Sequence, residues 1–299
     1  FKLISQLNCK ILTYHKQNVR LYMQKNITLK KLKVQSKISF LNLGFSLPLG
    51  WSRFSFNEKN ISHNIVMKKP FFSIITVVKN DEKNIEKTIN SIRQQSYKNF
   101  EYIIVDGKSK DQTLIKIKKM KKFINKFISE KDNGIYDAMN KGIKMSKGKV
   151  IVFCNSGDIF FPAALKIVKK IFNKKIDFVF GTVKRNYLTE SIIKSGFNEN
   201  RIYYNFDFAT CHSTGFFLKK KVYNEIGFYD QNFKCSADYD FYLRMINSKK
   251  YKGSYTKIND IIGEVLSGGY SSTFNILERT NEEIAIRLKN KQNKLWIVI

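Results

Sequence analysis

Residues 72–78, Phe72-Ser73-Ile74-Ile75-Thr76-Val77-Val78, form a nearly continuous apolar and β-branched run that ends in the polar Lys79-Asn80-Asp81. A strand apolar at almost every position has no face to offer water, so this run reads as a central strand covered by helices on both sides. Just beyond it, Ile85, Ile89 and Ile92 fall at i, i+4 and i+7, the spacing of a helix with one buried face. Asn80 or Asp81 stands where its side chain can cap that helix. A second run, Tyr102-Ile103-Ile104-Val105, then closes abruptly on Asp106-Gly107. Strand, helix and strand in this order make a βαβ unit, whose strands run parallel.

The alternation continues outward. A third strand is predicted around Phe127-Ile128-Ser129, a helix from Ile135 to Met145, and a fourth strand over Val150-Ile151-Val152-Phe153-Cys154. The expected fold class is therefore α/β, with a Rossmann-like, mainly parallel central sheet flanked by helices. Ligands of such sheets bind beyond the carboxyl ends of the strands. That rule singles out the polar residues at or after those ends: Thr76, Asp106, Asp132 and Asp158. Residues 1–70 show no sustained period and carry Gly44, Pro48 and Gly50, so they read as an N-terminal extension or linker. Residues 71–275 read as the catalytic domain and residues 276–299 as a helical tail.

Lys and Arg number 54 against 24 Asp and Glu, a formal charge of +30, which attracts nucleic acid, phosphate-bearing substrates or an anionic membrane face. Lys-rich strings on solvated helix faces account for the same number without any partner. Cys9, Cys154, Cys211 and Cys235 contain no C-x-x-C pair, which excludes a zinc knuckle and points to a reducing compartment. No run approaches the roughly 18 apolar residues of a membrane span, so a cytoplasmic location is expected. The opening on Phe1 and the closing Leu295-Trp296-Ile297-Val298-Ile299 read as the marks of a fragment.

Three polar groups carry the candidate chemistry. Asp106 follows a strand directly and can accept hydrogen bonds from a base or ribose, although an Asx turn would use the same residue. Asn155-Ser156-Gly157-Asp158 ends another buried strand, where one carboxylate can share Mg²⁺ or Mn²⁺ with substrate phosphates. Ala237-Asp238-Tyr239-Asp240 opens a helix; its aspartates suit the helix dipole, and one of them can equally deprotonate an acceptor hydroxyl.

Five stretches in order resemble the family 2 glycosyltransferases, which have the GT-A fold: FSIITVVKNDEKNIEKTINSIRQQSYKNFEYIIVDGKSKDQT, SEKDNGIYDAMNKGIKMSKGKVIVFCNSGD, HSTGFF, GFYDQNFKCSADYDFYLR and LSGGYSS, together spanning about 71–275. The resemblance implies transfer of a sugar, with inversion, from a nucleotide diphosphate donor to a saccharide or lipid-linked hydroxyl acceptor in polysaccharide or glycoconjugate biosynthesis. It implies that Thr76 and Asp106 hold base and ribose, and that Asp132, Asp137 and Asn140 belong to the donor pocket. Ser156, Gly157 and His212 are expected against the donor as well. Asp158 is the expected ligand of Mn²⁺ or Mg²⁺, and Asp238 the expected general base. Asn155 and Gly157 stand where many relatives carry an acidic cluster, and Ala237 where many carry Glu.

Two other classes compete with this reading. A nucleic-acid-binding protein would use the charge, but no binding module accompanies it, and no nucleic acid partner is expected. An inactive GT-A scaffold would fit the thinned acidic cluster. A Rossmann dehydrogenase is excluded, since no G-x-G-x-x-G follows the first strand. The charge is then expected to serve the diphosphate and peripheral docking on the anionic inner face of the cell membrane.

Overall fold

The computed structural model describes residues 9–15, 18–23, 69–187, 189–203 and 213–292. The chain divides into two compact units, Phe1–Val66 and Met67–Ile299. In the first, β1 (Cys9–His15) pairs antiparallel with β2 (Asn18–Met23). The second unit carries everything that follows. Among the described residues no helix is long and apolar enough to cross a membrane.

The predicted run becomes β3 (Phe72–Val78), buried along its whole length, and the second becomes β4 (Phe100–Asp106). They pair in parallel, Ile74 with Tyr102 and Val78 with Asp106. Between them lies α1 (Ile85–Arg93), with Ile85, Ile89 and Ile92 buried. The expected cap differs. Neither Asn80 nor Asp81 caps α1, which starts at Asn84 without a side-chain cap. The reason lies in the neighbouring loop: the N–H groups of Asn80, Asp81 and Glu82 donate to Ser109 Oγ, Thr113 Oγ1 and Asp111 Oδ2 at 2.8, 2.9 and 3.1 Å. Asn80 itself takes φ 50°, and its Oδ1 accepts the Lys110 N–H at 2.8 Å.

After α2 (Thr113–Lys119) come β5 (Lys126–Ser129), α3 (Ile135–Met145) and β6 (Val150–Phe153), where the sequence pattern puts them. Then follow β7 (Ile159–Phe160), α4 (Ala164–Ile171), β8 (Phe178–Phe180), β9 (Thr182–Asn186) and β10 (Ser191–Lys194). The rest comprises β11 (Phe216–Lys219), α5 (Lys220–Ile226), α6 (Ala237–Asn247), β12 (Gly253–Tyr255), β13 (Ile261–Leu266) and α7 (Ile276–Lys289).

The main sheet has the order β12-β8-β11-β6-β3-β4-β5. Only β11 runs against the others, pairing antiparallel with both β6 and β8. Alternate residues of β3 divide between two cores. Ile75 and Val77 pack towards α3 and α6, while Phe72, Ile74 and Val78 pack towards α1 and α4. Each such fully buried Ile contributes on the order of 1.5–3 kcal/mol relative to exposure, so this double burial holds β3 firmly between the two helical layers. A second, smaller sheet, β10-β9-β13-β7, stands beside the carboxyl ends of the first. Its closest contact requires glycine, because a Cβ on Gly263 would lie 2.1 Å from the Ile159 carbonyl oxygen.

Candidate active site

One large cleft of ≈ 1470 Å³ opens where the two sheets meet. Its floor is the carboxyl end of β3 and the Asn155–Asp158 turn; β9, β10, residues 266–273 and the start of α7 form the opposite wall. A small-molecule site typically occupies about 300–1,000 Å³, so there is room for a donor and an acceptor together.

Asp132, Ser156, Asp158 and Asp238 line this cleft. Asp238 lies in the first turn of α6, a helix that packs on α5 and α7. Its Oδ1 accepts the Tyr239 N–H at 2.9 Å and the Tyr136 hydroxyl at 3.1 Å. Burial pushes its carboxyl up to about 6, and the Tyr136 bond only partly offsets this. The same burial, with the Asp238 charge, holds the Tyr136 phenol well above its ordinary value. A carboxylate tuned towards neutrality and within reach of solvent space is equipped to take a proton.

Asp158 is 4% exposed and burial raises its carboxyl to about 7. Its Oδ2 accepts from the Thr214 hydroxyl and its Oδ1 from the Leu266 N–H at 3.1 Å. Thr88 braces the turn, donating to the Asp158 carbonyl at 2.8 Å and accepting the Gly157 N–H at 3.1 Å. Gly157 has φ +97°, a conformation suited to glycine, and is not among the cleft-lining residues. Asp132 forms an ion pair with Lys79 at 3.3 Å.

The remaining expected residues sit behind the cleft or beside it. Thr76 is fully buried on the α1 side, its hydroxyl donating to the Cys154 carbonyl at 2.6 Å and lying 2.9 Å from the Tyr102 hydroxyl. Asp106 is also fully buried, accepting from the Ser109 N–H, the Ser109 hydroxyl and the Ser129 hydroxyl at 3.1, 2.5 and 2.6 Å. Asp137 accepts the Asn133 N–H at 3.0 Å and pairs with Lys141 at 3.1 Å. Asn140 mimics a strand against Tyr229, donating to its carbonyl at 2.9 Å and accepting its N–H at 3.1 Å. His212 lies outside the described residues.

Three cleft residues and one that braces the site from outside the cleft lining carry no signal in the sequence. Arg185, Lys194 and Arg279 bring positive charge from β9, β10 and α7. Glu282, on α7, accepts the N–H groups of Lys234, Cys235 and Ser236 at 2.6, 3.0 and 3.0 Å, bracing the backbone that leads into α6. All four are brought to the site only by long-range folding, Arg279 and Glu282 on the expected tail helix, and no motif marks any of them.

Among the described residues no three His, Cys, Asp or Glu side chains gather as a metal cage. The available donors are the Asp158 carboxylate with Asn155 Oδ1 and Ser156 Oγ, both of which are buried without a hydrogen-bond partner. Such a hard-oxygen set fits Mg²⁺ or Mn²⁺ completing its shell with phosphate oxygens and water, and Asp158 alone contributes charge to it.

A mainly parallel sheet with one reversed strand, a small sheet at its carboxyl edge and acidic residues around the cleft between them is the GT-A architecture of glycosyltransferases. The sequence profile described as Glycosyl transferase family 2 matches residues 73–227, and the chain belongs to that family. It is 28% identical over 217 residues to an uncharacterised glycosyltransferase of Methanocaldococcus jannaschii, covering 67% of this chain and 70% of that one. Among solved structures it is similar to S. aureus TarS 1–349 in complex with UDP-GlcNAc, with TM-score 0.60 and 19% identity over 73% of this chain. The mannosyltransferase PcManGT from Pyrobaculum calidifontis, in complex with GDP-Man and Mn²⁺, gives TM-score 0.55 and 15% identity over 76% of this chain. The chain spans 66% of the length of each of these two solved chains.

Proposed function

We propose that the cleft binds a nucleotide diphosphate sugar and transfers its sugar, with inversion, to a hydroxyl of a saccharide or lipid-linked acceptor. The observation that carries this reading is the convergence of Asp238 and Asp158, from elements 80 residues apart in sequence, on one cleft with room for two substrates. Solved structures of the same fold hold UDP-GlcNAc or GDP-Man with Mn²⁺, which supports the donor class.

In this reading Asp238 takes the acceptor proton as the acceptor oxygen bonds to the anomeric carbon, and the bond from that carbon to the diphosphate oxygen breaks. Attack from the face opposite the leaving group inverts the centre. Lys79, just after β3, and its partner Asp132, beyond β5, face the donor; Thr76, Asp106 and Asn140 act from behind, fixing the strand ends and α3. Asp158, with Asn155 Oδ1 and Ser156 Oγ, would hold Mg²⁺ or Mn²⁺, which supplies charge neutralisation for the diphosphate when bound. The +30 charge supports peripheral contact with an anionic membrane carrying the acceptor. Co-sedimentation with anionic liposomes at low salt checks this contact, and its absence there removes it.

The central test is a thermal-shift screen of nucleotide sugars with and without Mn²⁺, with Asp158→Ala as control. A Mn²⁺-dependent rise of Tm with one donor, absent in the variant, is expected. No stabilisation by any donor would sink the reading.

A further inference from the structure

Arg185 is the cleft residue whose state the roles above leave unexplained. It lies on β9, in register with Val265 of β13. The next residue of β13, Leu266, donates its N–H to Asp158. Arg185 and Asp158 line the same cleft. The Arg185 guanidinium carbon lies 5.7 Å from the centre of the Tyr187 ring, within cation–π reach. Yet its Nε is buried without a hydrogen-bond partner.

Lys79 compares differently: it already has its ion pair with Asp132 and is largely exposed. A buried N–H without an acceptor costs free energy that an incoming anion relieves. The planar guanidinium fork matches two oxygens of a phosphate, which a point-charge ammonium does not. Asp158 is the only carboxylate in its turn, so charge neutralisation at this end of the cleft has few other sources.

We propose that Arg185 is the diphosphate-binding cation of the cleft, donating from its guanidinium to the phosphate oxygens at the leaving-group end of the donor. This inference rests on the reading of the cleft as a nucleotide-sugar site. It gives the diphosphate a cationic partner that belongs to the chain, so donor binding persists in part when divalent cations are removed. Tyr187, 5.7 Å from the guanidinium, is the positioning residue that holds it at the wall.

Calorimetric titration of UDP, GDP, UMP and GMP into the wild type, Arg185→Ala and Arg185→Lys, with Mn²⁺ and with EDTA, tests this. One diphosphate is expected to bind the wild type in both buffers, and Arg185→Ala to bind it roughly 10- to 100-fold more weakly, the effect of losing a hydrogen bond to a charged group. Arg185→Lys should recover part of that loss, and the monophosphate should be affected far less. Arg185→Gln serves if the alanine variant loosens β9, as its melting temperature will tell. Equal affinity of wild type and Arg185→Ala for the diphosphate overturns the inference, and so does an equal loss towards the monophosphate. Absence of any nucleotide binding to the wild type, with or without Mn²⁺, instead overturns the nucleotide-sugar reading beneath it.

Discussion

The Tyr136 hydroxyl lies 3.1 Å from Asp238 Oδ1 and 3.0 Å from the Cys235 carbonyl, joining the start of α3 to the start of α6. One phenolic proton serves two acceptors, and the one it shares with Asp238 favours the ionised carboxylate against a burial that raises it to about 6. A base must be ionised to work, so activity should fall as pH drops through about 6. Tyr136→Phe removes the offsetting bond and leaves the burial. Its acid limb should therefore move to higher pH, with kcat at pH 6.5 lowered several-fold and donor affinity little changed. Initial rates from pH 5 to 9 in both proteins check this, and an unmoved limb would detach Tyr136 from the base.

Asp238 also links pH to stability. Its folded-state value of about 6 exceeds the ordinary 3.8, so the folded protein holds that proton more tightly than the unfolded chain does. The resulting stabilisation is complete below about 3.8 and is lost as pH rises through about 6. Above that, a buried charge burdens the fold by about 1–3 kcal/mol. Asp238→Asn lifts the burden and can keep the Tyr136 and Tyr239 bonds through its amide oxygen. The variant should melt several degrees higher than wild type at pH 7.5, with the difference vanishing towards pH 4, while losing transfer and retaining donor binding. Near-normal turnover in this variant would contradict its role as base.

The sheet was legible because burial on both faces leaves an unmistakable pattern: the run at 72–78 and its counterparts at 102–105 and 150–153 admit few other readings. Strand β11 was not, since Phe216–Lys219 is too short to show its direction. The site was legible to the extent that it hangs on strand ends, which is why Asp132 and Asp158 could be placed on the cleft side. A strand-end carboxylate can also turn inward. Asp106 does so because Ser109 and Ser129 offer it hydroxyls at 2.5 and 2.6 Å, and no local pattern distinguishes the two outcomes. Arg185 and Glu282 stayed hidden for a different reason: each meets the site through a contact that depends on the whole fold.

Glu282 illustrates the cost of losing such a contact. Its carboxylate accepts three backbone N–H groups just ahead of α6, while Lys289 and Asn290, near the other end of α7, reach Asp240 Oδ1 at 2.9 and 3.1 Å. The tail helix thus clasps the helix that carries the base. Glu282→Ala leaves those donors to water and should cost about 1–3 kcal/mol. It should also lower kcat more than it raises the donor KM, because Asp238 is loosened and the β3 end is not. Urea unfolding midpoints and steady-state kinetics separate the two effects. Full activity at reduced stability would make the clasp purely structural.

Gly107 separates packing from function at the other side of the cleft. A Cβ there would lie 2.0 Å from Asp132 Oδ2 and 3.1 Å from Lys79 Cδ, both movable ends of side chains. Gly107→Ala should therefore cost less than about 1 kcal/mol of stability, because no backbone has to give way. The carboxylate does have to move, and its 3.3 Å pairing with Lys79 goes with it. If that pair faces the donor, the variant's KM for the nucleotide sugar should rise by roughly 3- to 10-fold at nearly constant kcat, as expected when binding shared by ground and transition states is lost. Lys79→Ala should give a similar rise, and the double variant little more than either alone, since neighbouring residues in one contact do not act additively. A KM unchanged in both single variants would place Asp132 and Lys79 outside the donor's reach.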